Sequence, residues 1–81
     1  MSPPVLLVLG AGPKIGLSVA NAFAVKGYKV ALAARSLEEG VGEDGYLRLK
    51  IDLAKAEEIE KVFAQVKEKL GIPSVVVYNG S

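Results

Sequence analysis

Eighty-one residues with ten basic and nine acidic side chains, no cysteine and no histidine describe one small domain of net charge +1. That balance carries no nucleic-acid or anionic-membrane footprint, and the missing cysteines and histidines exclude disulfides, thiolate chemistry and the commonest general base and metal ligand. Yet 51% of the residues are hydrophobic and the mean hydropathy is +0.34, rich for a domain of a size that buries only about 60–65% of its unfolded surface. The expectation is that a second chain, or more of a parent protein, covers part of that apolar surface.

Met1-Ser2-Pro3-Pro4 lacks a basic leader segment, and glycine breaks the apolar run that follows, so no signal peptide is read. No stretch approaches membrane-spanning length. A reduced, cytoplasmic setting is expected.

Val5 to Leu9 is continuously apolar, the pattern of a parallel strand covered on both faces. Ile15 to Lys26 follows with Ile15, Val19, Ala22, Phe23 and Lys26 at helical spacing, and Gly27 closes it. Tyr28 to Ala34 is a second buried strand. Arg35 to Gly45, with three glycines and four acids, reads as a loop. Tyr46 to Ile51 alternates, with Leu47, Leu49 and Ile51 on one face and Tyr46, Arg48 and Lys50 on the other, as in a half-exposed edge strand.

Asp52 to Leu70 carries the strongest helical pattern: Ile59, Val62, Phe63, Val66 and Leu70 form one stripe, with acids early and lysines late to complement the dipole. Gly71 and Pro73 stop it. Ser74 to Tyr78 is a fourth strand, and Asn79-Gly80-Ser81 a turn. Right-handed crossovers then predict an α/β fold with a four-stranded parallel sheet in the order 3-2-1-4, all within a single domain over 1–81.

The run Gly10-Ala11-Gly12-Pro13-Lys14-Ile15-Gly16 joins the first strand to the first helix. Gly10 permits a sharp turn, Gly12 a close backbone approach, and Gly16 tight packing of helix on sheet. A helix N-terminus at such a bend suits a pyrophosphate. Glycines placed for steric reasons alone would give a similar triplet, but the flanking strand and helix favour nucleotide binding.

On these residues the chain resembles the short-chain dehydrogenase/reductase family, with a Rossmann-like β-α-β-β-α-β half. The family's turn, Thr-Gly-x-x-x-Gly-x-Gly, is matched by Leu9 to Gly16 in its outer glycines and Ile15; Leu9 stands for the threonine and Lys14 for the middle glycine. Ala33-Ala34-Arg35-Ser36, Asp52-Leu53 and Tyr78-Asn79-Gly80-Ser81 follow in family order at successive strand ends. The resemblance implies that Gly10, Gly12, Pro13, Lys14, Ile15 and Gly16 border the pyrophosphate. It further implies that Asp52 accepts from the adenine amino group, that Leu53 lines that pocket, and that Asn79 and Gly80 lie under a ribose. Helix capping by Asp52 and a plain turn at Asn79-Gly80 are the alternatives.

An acidic residue at the end of the second strand ordinarily meets a ribose 2′-hydroxyl. Ala34 stands there, and Arg35 follows. A guanidinium matches a 2′-phosphate, with Ser36 as an added donor, so NADP is expected over NAD.

The resemblance also implies hydride transfer to or from a nicotinamide, using a serine and a Tyr-x-x-x-Lys pair. Tyr46-x-x-x-Lys50 fits that pattern, but on a strand the two lie about 13 Å apart; it is rejected as a chance match. The expectation is therefore the cofactor-binding first half of a reductase, cut at the fourth strand and inactive alone. A non-catalytic, self-associating module that has lost nucleotide binding is the alternative. In either case the fourth-strand edge, or the sheet face left bare around it, is expected to join two copies as a homodimer.

Overall fold

A computed structural model describes residues 3–10, 13–35, 37–52 and 54–79, with 13–16 and 79 described by backbone alone. The elements are β1 (Val5–Gly10), α1 (Pro13–Val25), β2 (Lys29–Ala34), β3 (Gly40–Val41), β4 (Leu47–Lys50), α2 (Ala56–Lys69) and β5 (Val75–Asn79). They build one five-stranded sheet in the order β3-β4-β2-β1-β5.

The central strand explains the rest. All six residues of β1 are buried, flanked by β2 and β5 in parallel register, with Leu7 opposite both Ala31 and Val76. Successive side chains of a strand point to opposite faces, so β1 feeds two cores. Val5, Leu7 and Leu9 join Ala31, Ala33, Leu47, Leu49 and Ile51 under Val62 and Val66 of α2. Leu6 and Val8 join Val30, Leu32 and Ala20 under α1, with Val75 and Val77 of β5 packed alongside. The unbroken apolar runs of the sequence are the two-sided burial that a parallel sheet requires.

Helix ends follow their local chemistry. The α1 helix stops in a Schellman arrangement, with the Tyr28 N–H donating to the Phe23 carbonyl at 3.2 Å and the Gly27 N–H to Ala24 at 2.9 Å. Gly27 has φ +95°, the left-handed region that glycine enters without a Cβ penalty. The hydrophobic contact that accompanies this motif is present: the Phe23 and Tyr28 rings meet edge-on with centroids 4.9 Å apart. In α2, Glu57 and Glu58 occupy the first turn and Lys67 and Lys69 the last. Of its apolar stripe, Val62 and Val66 are buried while Phe63 remains 36% exposed.

The sheet is five-stranded and mixed, not four-stranded and parallel. The additional strand, β3, lies in the stretch expected to be a loop and pairs antiparallel with β4, Val41 opposite Leu47. The turn that makes it possible runs through Glu43-Asp44-Gly45 and is closed by the Gly42 N–H donating to the Tyr46 carbonyl at 3.1 Å, with Gly45 at φ +82°, the arrangement that short hairpins favour. Asp44 organises the turn, accepting from the Tyr46 N–H at 3.0 Å and from both terminal nitrogens of Arg48 at 2.9 and 2.7 Å. That hydrogen bonding, chiefly from Arg48, holds the Asp44 carboxyl down at about 2.

Two consequences correct the expected edge strand. First, β4 is bordered by β3 along Leu47 and Arg48. Second, Tyr46 is buried, and its hydroxyl donates to Asn21 Oδ1 of α1 at 2.6 Å. The face carrying Tyr46, Arg48 and Lys50 is thus covered at one end by a helix. The helix expected from Asp52 begins instead at Ala56, with Lys55 as its N-cap residue and no side-chain cap, and Asn79 ends a strand rather than opening a turn.

Replacing Gly27 by alanine puts a Cβ on a left-handed residue, where no neighbouring atom lies within 4 Å to clash with it. The loss is therefore conformational, about 1 kcal/mol, read as a lower urea midpoint at unchanged slope.

Candidate functional site

Because β1, β2, β4 and β5 run parallel, their carboxyl ends lie along one side of the sheet, the side on which open α/β sheets bind ligands. Gly10 and Asn79 are cross-strand partners at the ends of β1 and β5. From Gly10 the chain leads into α1, whose first turn is built by the backbone of Pro13, Lys14, Ile15 and Gly16. Proline at the first helical position costs nothing, since its missing N–H would have had no intrahelical acceptor. Gly12, Ser36, Leu53 and Gly80, all singled out from the sequence, lie outside the described residues.

A second group gathers at the ends of β2 and β4. Ala34 and Lys50 are register partners, and the ladder continues through the Ile51 N–H, which donates to the Ala34 carbonyl at 3.2 Å. The next residues outward are Arg35 on one strand and Asp52 on the other. Arg35, Lys50, Ile51, Asp52 and Glu58 line a single hollow of about 370 Å³. The fold therefore brings Arg35 and Asp52 to one hollow, with β2, which leads into Arg35, lying between the end of β4 and the Gly10 end of β1.

Asp52 does not cap α2. Its carboxylate accepts from the Ala54 N–H at 3.0 Å, and its carbonyl accepts from the Lys55 N–H at 3.1 Å, which folds the chain between β4 and α2 into an Asx turn. One carboxylate oxygen is thus committed to the backbone, while the residue stays at the wall of the hollow. Ile51 beneath it is buried in the α2-side core, which anchors the strand end that carries both Lys50 and Asp52.

Lys50 and Glu58 were not among the residues picked from the sequence. Lys50 was read as one of the outward charges of an edge strand, and Glu58 as part of a dipole-compensating first turn. The signal that places Lys50 is its position two residues before Asp52, the spacing that brings it to the level of the Ala34 end of β2.

The Tyr46-x-x-x-Lys50 match spans a strand, with the Tyr46 hydroxyl bound to Asn21 inside the α1-side core and Lys50 at the mouth of the hollow. The two side chains belong to different environments. Among the described residues no group of three His, Cys, Asp or Glu side chains is placed to hold a metal ion, and no helix is long and apolar enough to cross a membrane.

A family model described as short chain dehydrogenase matches residues 4–81. A short chain dehydrogenase/reductase of Cryptosporiopsis sp. (strain 8999) is 38% identical over 81 residues, covering 100% of this chain and 32% of the relative. Carbonyl reductase family member 4 of Xenopus laevis is 41% identical over 71 residues, 83% of this chain and 30% of that protein. A 3-oxoacyl-[acyl-carrier-protein] reductase of Bos taurus is 35% identical over 72 residues, again 83% and 30%. The chain thus spans about a third of the length of the curated relatives it matches. No solved structure gives a significant match.

The Asx turn yields a specific expectation for Asp52. Asp52→Ala removes the acceptor of the Ala54 N–H and lowers unfolding free energy by about 0.5–1 kcal/mol, whereas Asp52→Asn, which keeps the oxygen, stays close to the parent. Urea denaturation of the two variants side by side checks this.

Proposed function

The chain belongs to the short chain dehydrogenase family, which binds a nicotinamide dinucleotide, and we propose that these residues form the NADP(H)-binding portion of such an oxidoreductase. One observation carries the cofactor preference. The end of β2 offers Ala34 where a ribose 2′-hydroxyl would need a carboxylate, and the next residue, Arg35, opens onto the hollow shared with Asp52. A guanidinium cannot accept a hydrogen bond from a hydroxyl, but it matches a phosphate monoester in charge and geometry.

On this reading the Gly10-to-Gly16 bend and the first turn of α1 meet the pyrophosphate, with Gly12, Pro13, Lys14 and Ile15 along it. Arg35, helped by Ser36, meets the 2′-phosphate. Asp52 accepts from the adenine amino group beside Leu53, and Asn79 and Gly80 support the ribose on the nicotinamide side. When bound, the dinucleotide supplies hydride transfer between its nicotinamide and an alcohol or carbonyl. This chain's own residues bind and orient; none supplies the proton-transfer pair, because the tyrosine of its one matching pattern is buried against Asn21. The 81 residues are therefore inactive alone.

Self-association of the chain as a homodimer is part of the proposal. Among the described residues β5 ends the sheet order, paired with β1 alone. Its Val76 and Tyr78 are 44% and 66% exposed on the α2 side of the sheet. An unpaired edge strand with apolar side chains is a template for a second copy.

Isothermal titration tests the cofactor assignment. NADPH binds more tightly than NADH, Arg35→Ala weakens NADPH about tenfold with NADH little changed, and the chain turns over no carbonyl substrate. Binding of neither dinucleotide favours the non-catalytic module instead. Sedimentation at tens of micromolar separately reads the association: a dimer that Val76→Lys or Tyr78→Lys disperses is expected, and a monomer counts against it.

A further inference from the structure

We propose that Glu58 is a specificity-determining residue of the hollow, acting against the adenosine 2′-phosphate as the counter-charge of Arg35; this rests on the NADP reading above and adds the carboxylate that limits it. The inference starts from the pleat of the sheet. Ala31 and Ala33 of β2 pack with Leu47, Leu49 and Ile51 into the core beneath α2. Alternation therefore sends Arg35, two residues past Ala33, toward that same α2 side. Lys50, level with Ala34, goes to the opposite side. Glu58 stands in the first turn of α2, so Arg35 and Glu58 approach the hollow from one side of the sheet, and both line it.

Neither group is taken up elsewhere. Among the described residues no hydrogen bond or ion pair engages the Arg35 guanidinium or the Glu58 carboxylate. Asp52 differs, because the Ala54 N–H holds one of its oxygens and ties it to the chain before α2. Arg35 and Glu58 thus remain opposite charges around a space of about 370 Å³ without closing into a direct pair. An anion seated on Arg35 enters that space and comes within roughly a Debye length, about 8 Å, of the Glu58 carboxylate.

That placement acts on one dinucleotide and not the other. A phosphate monoester brings close to two negative charges, whereas a ribose 2′-hydroxyl brings none. Repulsion by Glu58, and its attraction for Arg35, therefore weaken NADPH and leave NADH alone. Glu57 supplies the internal comparison. It sits in the same helical turn and complements the same positive helix end, but it is exposed and outside the lining of the hollow. A carboxylate acting only through net charge or the helix dipole would act equally from either position.

Glu58→Gln and Glu57→Gln, with Arg35→Gln as reference, are titrated with NADPH, NADH, 2′-AMP and 5′-AMP at low and at physiological salt. Thermal melting shows that each variant folds. The expected result for Glu58→Gln is a gain of about three- to fivefold in NADPH and 2′-AMP affinity at low salt, smaller at physiological salt. NADH and 5′-AMP stay within twofold of the parent, and Glu57→Gln leaves all four ligands there. Should Glu58→Gln leave NADPH and 2′-AMP unchanged, weaken them, shift all four ligands alike or merely match Glu57→Gln, while Arg35→Gln still abolishes the NADPH preference, the Glu58 assignment falls and the NADP reading stands. A parent chain that binds NADH as tightly as NADPH, or that binds neither, overturns both.

Discussion

Everything in this small domain hangs on a strand that has no solvent-facing side. β1 has partners on both edges and apolar side chains on both faces, so the sheet must be covered by helices above and below. With a parallel register, that requirement sends the chain back over the sheet between successive strands. α1 and α2 are those returns, each laying its apolar stripe on one of the two cores that β1 feeds. Stability and site architecture have one origin here, because the crossovers that bury β1 also bring the carboxyl ends of the four parallel strands to the same side.

That geometry makes the candidate site a property of strand ends rather than of any one loop. Gly10 and Asn79 are paired residues of neighbouring strands, as are Ala34 and Lys50. Their spacing is set by the hydrogen-bond ladder and is therefore rigid, whereas the segments beyond them vary in length. The buried Ile51 between Lys50 and Asp52 shows how one strand does both jobs: its inward residue fixes the register, and the residues on either side reach the hollow.

Much of this was legible in the residues. The parallel core strands, both helices, the glycine closing α1 and the positions of Arg35 and Asp52 follow from periodicity and from glycine placement, signals that are local and strong. What escaped were features decided by tertiary contact. The β3 strand is two residues long, too short to have a period, and its only trace was the Glu43-Asp44-Gly45 connection inside a glycine-rich acidic stretch. Tyr46 belonged by alternation to a polar face, and only the hydroxyl bond to Asn21, 25 residues away in sequence, shows why it is buried. The start of α2 was set by the Asx turn of Asp52, which competes with capping for the same side chain.

Net charge was read first and says least about recognition. A total of +1 averages over charges that the fold treats very differently. Asp44 and Arg48 cancel within a turn, and the acids and lysines of α2 answer the two ends of its own dipole. In salt an anionic ligand feels only the charges within roughly a Debye length of it, so the relevant sum is the one around the hollow after internal pairing has been taken out. There Arg35 and Lys50 stand against Asp52 and Glu58, and the backbone N–H held by Asp52 leaves its carboxylate charged. The formal charges around the hollow therefore balance, as those of Asp44 and Arg48 do in the β3–β4 turn, and discrimination there rests on where single side chains are placed rather than on a net field.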